Sequence, residues 1–436
     1  MIDLSTKVAG LSLKNPVIVA AITPNGPWNR WPPEKDAPGI LMKQWRKYYE
    51  AGVGAICTGI ILPDEDTTPT RGAVRFWAAK TKGSRKVEGL VSGATVPDGS
   101  LTKTSSLEVI RRAKQEFTDV RIIANMPAGD MDTDLSISLA LECQQAGADM
   151  IELNFGCGMM ISNLAQVLRG MENQKDLVSG IAVGLVPEVA SGIAKTIREK
   201  LSIPVAVKLT PELSFIHLLR AIPMYREAEV DAFTANHCFM TVVPPDIYNG
   251  GKTTFPHMEN TTWFMTNGPW HRFAAYRNIA ILGKYFPDSD VMACGGMVTP
   301  EQCVEVMMLG AKAVQLSSGI FLNGISFTGK VIKFLEKYMD EQGYRTVEDF
   351  RGLGQKHVVE MEECQEEFKA QIGRLIAFID REKCVGLSSC KICLDNWCFA
   401  AYEEDGQPMV DKQLCSSCNI CVIRCPHEAR ELKWVE

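Results

Sequence analysis

The chain has 436 residues, more than one hydrophobic core comfortably supports, so a large domain with a smaller companion is expected. A composition of 46% hydrophobic and 22% charged residues is that of an ordinary globular protein and excludes disordered, collagenous and coiled-coil classes. The net charge of −6 argues against nucleic acid as a partner, no run of eighteen apolar residues argues for a membrane, and the N-terminal MIDLSTKVAG lacks a secretory pattern, so a cytoplasmic protein is expected.

Residues 1–325 repeat one rhythm, a short apolar run followed by a loop and a helical pattern. The runs are Val17–Ala21, Ala55–Gly59, Arg121–Asn125, Met150–Asn154, Val205–Leu209, Ala232–Ala235, Val291–Cys294 and Ala313–Leu316. Helices are predicted between them at Leu41–Ala51, Ser106–Phe117, Leu135–Ala146, Pro187–Lys200, Phe273–Tyr285 and Pro300–Leu309, several ending at Gly and two opening with Pro. Eight such units point to a closed (β/α)8 TIM barrel, with an open doubly wound sheet as the alternative on pattern alone. Residues 326–380, rich in Lys and Glu with helical spacing at Val331, Phe334, Leu335 and Tyr338, read as a helical linker on the outside of the barrel.

Residues 381–436 form a separate cysteine-rich segment. Of 15 cysteines, eight fall between Cys384 and Cys425, and in a reducing compartment such clustering favours metal over disulfides. Cys415-x2-Cys418-x2-Cys421-x3-Cys425-Pro426 is the ligand run of bacterial ferredoxins, in which the Cys before Pro serves the other of two clusters. The wider run Cys384, Cys390, Cys393 and Cys398 repeats the order. By that crossing rule one [4Fe-4S] cluster takes Cys384, Cys390, Cys393 and Cys425, and the other Cys415, Cys418, Cys421 and Cys398. Zinc also accepts four thiolates, but closed zinc sites require neither the third Cys nor the Cys-Pro. The stretched first run leaves room for a loop insertion or an altered cluster.

In a barrel the active site lies at the C-terminal ends of the strands. Those ends carry Thr58-Gly59, Asn125, Asn154 with Cys157 beyond it, Lys208, Asn236-His237, Gly295-Gly296 and Ser317-Ser318. Polar groups buried without partners cost on the order of 2–7 kcal/mol each, so such a ring of polar ends marks a site rather than a core. Cys294-Gly-Gly-Met297 and Gln315-Leu-Ser-Ser-Gly319 follow strands seven and eight, where barrels hold phosphate on backbone N–H groups. A plain tight turn is the alternative for either.

The chain resembles the flavin barrels of the dihydroorotate and dihydropyrimidine dehydrogenase family, most closely the part of dihydropyrimidine dehydrogenase in which an FMN barrel precedes a ferredoxin-like tail with two [4Fe-4S] clusters. The resemblance rests on Asn15-Pro-Val-Ile-Val-Ala-Ala21 with Thr23-Pro24, Glu152-Leu-Asn-Phe-Gly-Cys157, Gly180-Ile-Ala-Val-Gly184 with Pro187-Glu188, Val207-Lys-Leu-Thr-Pro211, Thr234-Ala-Asn236, Gly295-Gly296 and the second cysteine run. It implies that Ala20, Ala21, Thr58, Asn125, Asn154, Lys208 and Asn236 approach FMN or substrate, and that Gly268, Gly295, Gly296, Ser317 and Ser318 surround the FMN phosphate. Cys157 matches the catalytic cysteine of the family, a general acid delivering the proton that accompanies hydride from FMN N5. A small buried residue is the alternative for Cys157. Cys57, Cys143, Cys238, Cys294, Cys303 and Cys364 read as ordinary buried residues.

Several positions depart from the family pattern. Gly59 replaces a lysine beside the flavin, Gly156-Cys-Gly158 replaces Ser-Cys-Pro and loosens the backbone of that loop, and His237 replaces a small hydroxyl residue. Leu90–Ser100 lacks the asparagine that holds a pyrimidine. His237 is either a second acid/base or anchor, or a structural histidine bonded to backbone. Trp28, Arg30 and Trp31 are candidates for a lid. The expected activity is reduction, or the reverse, of a C=C bond conjugated to a carbonyl in a small ring compound, with a substrate other than uracil, thymine or orotate. A true dihydropyrimidine or dihydroorotate dehydrogenase and an electron-transfer subunit are the alternatives. No Gly-x-Gly-x-x-Gly follows a strand, so electrons, passing from the clusters to FMN, are expected from a ferredoxin or from an FAD/NAD(P)-binding partner subunit, within a homodimer or hetero-oligomer.

Overall fold

The computed structural model describes residues 2–21, 36–61, 73–80, 87–96, 103–127, 133–158, 180–254, 259–260, 263–395 and 398–435. Trp28, Arg30 and Trp31 lie outside the described residues. The strands, in chain order, are β1 (Thr6–Val8), β2 (Leu11–Leu13), β3 (Val17–Val19), β4 (Ala55–Cys57), β5 (Ala73–Lys80), β6 (Val87–Val96), β7 (Arg121–Pro127), β8 (Met150–Asn154), β9 (Val205–Lys208), β10 (Ala232–Thr234), β11 (Phe239–Thr241), β12 (Phe264–Asn267), β13 (Val291–Cys294), β14 (Ala313–Leu316), β15 (Leu375–Ile379), β16 (Ala401–Glu404), β17 (Gln407–Val410) and β18 (Arg430–Trp434).

Eight of these, β3, β4, β7, β8, β9, β10, β13 and β14, pair in parallel, and β14 pairs back onto β3 to close a barrel. They are the eight apolar runs read from the sequence, and the closing pair excludes the open sheet. Parallel strands buried on both faces need continuous runs of Val, Ile and Ala, which is why the runs were visible. The helices Ala37–Glu50, Lys103–Glu116, Thr133–Ala146, Pro187–Arg198, Arg272–Tyr285 and Pro300–Met308 match the predicted ones within a few residues. A further helix, Phe215–Glu227, capped by the Ser214 hydroxyl accepting from His217 N, was not predicted.

Side chains alternate across each strand, so the barrel interior is built in layers. Ile18, Ala55, Ile123, Met150, Ala206, Ala232, Met292 and Ala313 form one buried apolar cluster, joined by Val8 and Leu13 of the β1–β2 hairpin. Two residues further along the same strands come Cys57, Asn125, Glu152, Lys208, Thr234, Cys294 and Gln315, all buried. An apolar plug thus lies beneath a polar layer. The outward faces pack against the helices in a larger cluster that includes Val17, Ile56, Ile122, Ile151, Val205 and Val314.

Two insertions build an antiparallel sheet of order β11-β12-β6-β5, which the sequence reading did not anticipate. A second difference concerns 326–380. The helix Ser326–Gln342 buries Phe327, Thr328, Val331, Leu335 and Met339 and packs on β3 and on the helix Pro300–Met308. It is the last helix of the barrel, and the compact unit runs from Met1 to His357 rather than ending at 325. The second unit, Val358–Glu436, holds the exposed helix Met361–Gln371, the antiparallel pair β15–β18 and the hairpin β16–β17.

If the helix is integral to the barrel, Leu335→Ala removes a fully buried side chain and lowers stability by about 2–5 kcal/mol in chemical denaturation. A loss below about 0.5 kcal/mol would return the segment to a loosely attached linker.

Candidate active site and cysteine-rich cavity

Glu152 is the hub of the polar layer. Its Oε1 accepts from Asn125 Nδ2 at 2.7 Å and Lys208 Nζ at 3.3 Å, and its Oε2 accepts from Gln315 Nε2 at 2.6 Å and Thr234 Oγ1 at 2.5 Å. Lys208 also donates to Gln315 Oε1 at 3.1 Å. Burial works to raise the carboxyl pKa, but Lys208 and the hydrogen bonds from Thr234, Gln315 and Asn125 hold it below the usual carboxylate range. Burial also works against the Lys208 charge. The facing groups, Cys294, Glu152 and Cys57, keep its pKa above the usual lysine value, and burial holds both thiols up, so Glu152 is the ionised partner.

Above this layer opens a cavity of about 820 Å³, counting its open mouth. Its wall includes Ala20, Ala21, Asn125, Asn154, Cys157, Lys208, His237, Gly295, Gly296, Ser317 and Ser318, all expected from the sequence. Thr58, Asn236 and Gly268 stand behind that wall. The Thr58 hydroxyl accepts from Asn125 N at 2.9 Å, and Asn236 Oδ1 accepts from Asn278 Nδ2 at 2.7 Å. Gly268 O lies 2.7 Å from where a Cβ on Gly296 would sit. Cys238, Met265, Asn267, His271, Cys294 and Gln315 complete the wall and were missed or read as ordinary. Alternation along β13 and β14 was the available signal for Cys294 and Gln315; no motif marked the others.

At one end, Gly295 and Gly296 have φ of +121° and +81°, and a side chain on Gly296 would come within 2.5 Å of Arg272 N. Only glycine fits there, and both residues line the cavity. Ser317 precedes the short helix Ser318–Asn323 beside it. At the other end Asn154 Nδ2 donates to Asn125 Oδ1 at 3.2 Å, while its Oδ1 accepts from Gly156 N at 3.2 Å and so folds the Cys157 loop back onto the barrel. Neither Gly156 nor Gly158 has a positive φ. The reason for glycine there is space rather than a looser backbone: a Cβ on Gly156 would lie 2.2 Å from the Cβ of His237, and one on Gly158 2.6 Å from Met265 Sδ.

Among the described residues, ten buried side-chain nitrogen and oxygen atoms have no hydrogen-bond partner, and five of them lie at or beside this cavity: Asn236 Nδ2, His237 Nδ1, Asn267 Oδ1 and both ring nitrogens of His271. Buried polar atoms without partners are rare, and their gathering here fits a polar occupant. His237 Nδ1 is buried with no hydrogen-bond partner. Burial and the Lys208 charge lower its pKa to about 3, so it is a neutral imidazole at pH 7. Burial, with Arg277, lowers that of His271 to about 4.

The second cavity, about 640 Å³, lies in the cysteine-rich unit. Cys398, Cys415, Cys418 and Cys421, the set predicted for one cluster, line it together with Cys393. Ser417 and Asn419 take left-handed backbone at φ of 57° and 64°, turning the loop so that its cysteines face inward. Cys384, Cys390 and Cys425 are not part of the wall, and Cys425 Sγ accepts from Ala429 N at 3.3 Å. Among the described residues no group of three or more His, Cys, Asp or Glu closes on a single-ion site. Thiols lining one cavity are a donor set that suits an iron–sulfur cluster.

Because His271 is buried neutral, its pKa is depressed on folding, so its contribution is full above about pH 6.5 and is lost as pH falls toward 4. Stability should drop by about 1.4 kcal/mol per pH unit in that window, with His237 adding to the slope, and His271→Phe should flatten it. Thermal unfolding between pH 7 and 5 measures this; parallel slopes for variant and wild type would contradict it.

The family profile described as dihydroorotate dehydrogenase matches residues 108–339. The NAD-dependent dihydropyrimidine dehydrogenase subunit PreA of Escherichia coli is 24% identical over 294 residues, a match spanning 66% of each chain and thus just under two thirds of that relative. The catalytic subunit of dihydroorotate dehydrogenase B of Thermoplasma acidophilum is 24% identical, covering 81% of this chain and 99% of its own. The crystal structure of DHODH from Eimeria tenella in complex with ferulenol superposes with a TM-score of 0.58 at 13% identity, over 82% of this chain and 89% of that one, a likeness of fold. With the profile covering more than half of its length, the chain belongs to the dihydroorotate dehydrogenase family of oxidoreductases.

Proposed function

We propose that the protein is an FMN- and iron–sulfur-dependent oxidoreductase that reduces, or in reverse forms, a C=C bond conjugated to a carbonyl in a small ring compound. The observation that carries this is the pairing, in the wall of one cavity, of the glycines Gly295-Gly296 with Cys157. The cradle suits a phosphate, with Ser317 and Ser318 beside it. Asn125, Asn154 and Lys208 suit the polar edge of a flavin, while Ala20 and Ala21 offer an apolar surface. When bound, FMN supplies two-electron hydride exchange with one carbon of the double bond, and iron–sulfur clusters supply single electrons.

The chain's own contribution is the other hydrogen. Cys157 Sγ–H hands a proton to the second carbon and takes it back in the reverse direction. His237, neutral and adjoining the loop that bears Cys157, orients the ring through hydrogen bonds rather than through charge. A neutral imidazole offers a carboxylate hydrogen bonds but no opposite charge, which favours an uncharged ring compound over dihydroorotate. The absence of an asparagine from the sequence Leu90–Ser100 supports a substrate other than uracil or thymine. The cysteine-rich segment is read as a ferredoxin-like module of two [4Fe-4S] clusters, Cys384, Cys390, Cys393 and Cys425 serving one and Cys398, Cys415, Cys418 and Cys421 the other. A ferredoxin or an FAD/NAD(P)-binding partner subunit supplies electrons, and the relative named as a dehydrogenase subunit supports such an assembly.

The names of the relatives favour a second reading, a genuine dihydropyrimidine or dihydroorotate dehydrogenase. Anaerobic mixing with uracil or dihydroorotate separates the two: rapid flavin turnover with either supports the second reading and sinks the altered substrate. Cys157→Ala should keep its flavin and iron while losing turnover by about 10²–10⁴-fold. Unchanged turnover would leave an electron-transfer subunit as the better description.

A further inference from the structure

Among the described residues, one charged side chain in the cysteine-rich cavity has two buried donors without a partner. Arg430 opens β18 and is 4% exposed, and its Nε and Nη2 are buried with no hydrogen-bond acceptor. Its cross-strand neighbour on β15 is Ile379, which has no polar side-chain atom. The cavity wall around it carries Cys398, Cys415, Cys418 and Cys421 and no carboxylate. The other arginine there, Arg424, already donates to Asp395 O at 2.7 Å.

A guanidinium carries five donors and no acceptor and stays charged at any working pH. Buried without a counter-charge it is strongly unfavourable, so a cavity walled by two arginines and five thiols, with no carboxylate among its described residues, calls for an anionic occupant with hydrogen-bond-accepting atoms. Four thiolates outweigh the charge of an iron–sulfur core, and cluster sulfurs accept N–H bonds. Net charge and hydrogen bonds to sulfur are the terms that set a cluster's potential.

We propose that Arg430 tunes the cluster held by Cys398, Cys415, Cys418 and Cys421, donating Nε–H and Nη2–H to its sulfurs and raising its reduction potential by favouring the more negative, reduced state. This rests on the reading of that cavity as a cluster site.

The test is an EPR-monitored redox titration of the full-length holoprotein with iron quantified, comparing wild type, Arg430→Met and Arg430→Lys. Arg430→Met should keep its iron and lower the midpoint of one cluster. At a fixed potential the ratio of oxidised to reduced cluster should change at least tenfold, about 59 mV for one electron. Arg430→Lys, which keeps charge without the planar fork, should fall in the same direction by less. If the Met variant loses its iron the Lys variant is read in its place, and an unchanged or raised midpoint there overturns the proposal. Iron retained with midpoints within twofold of wild type in that ratio overturns it alone. A wild-type chain that carries no iron removes the cluster reading and this proposal with it.

Discussion

The interior of the barrel turns on one buried ion pair, Glu152 with Lys208. Both side chains are almost fully excluded from water, and neither charge is tolerable there alone; removing one partner of such a pair typically costs about 3–5 kcal/mol. Glu152 gathers donors from β4, β7, β9, β10 and β14, so six strands are tied at one height in the barrel. Asn125, Lys208 and Gln315 belong both to this network and to the wall of the cavity above it. The floor of the site is thereby fixed before anything binds, which is the condition for a site built to orient its occupant.

Two close approaches shape the walls. The absent Cβ of Gly156 makes room for the Cβ of His237, and the Gly295 position lies 3.0 Å from His271 Nδ1. Each histidine therefore sits against a glycine at one end of the cavity, His237 beside the Cys157 loop and His271 beside the cradle. The residues that depart from the family pattern at 156 and 237 are a single packing solution rather than two independent changes.

The barrel was legible because parallel strands covered on both faces must be continuously apolar, and all eight runs appear where the sequence put them. Cys398, Cys415, Cys418 and Cys421, grouped in the sequence by the crossing rule, share one cavity wall, and so does Cys393, which that rule placed in the other set. Glu152 was hidden inside an apolar run, although Met150, Glu152 and Asn154 alternate on one face of β8 in the way an interior layer requires. The extra sheet was hidden because β11 and β12 are short and pair across long sequence separations. The helix Ser326–Gln342 was recognised as a helix but not as part of the barrel: its Lys and Glu content spoke louder than the stripe Phe327, Val331, Leu335 and Met339. His271 and Asn267 carry no local motif, and only their burial without partners marks them.

The account joins a flavin cavity over a charged floor to a thiol-lined cavity in a second unit. Its most direct test is an anaerobic absorption spectrum of the purified chain with flavin and iron counted. One flavin and about eight iron atoms per chain are predicted, four for each of two cubane clusters. A folded chain that binds no flavin when FMN is supplied would contradict the account.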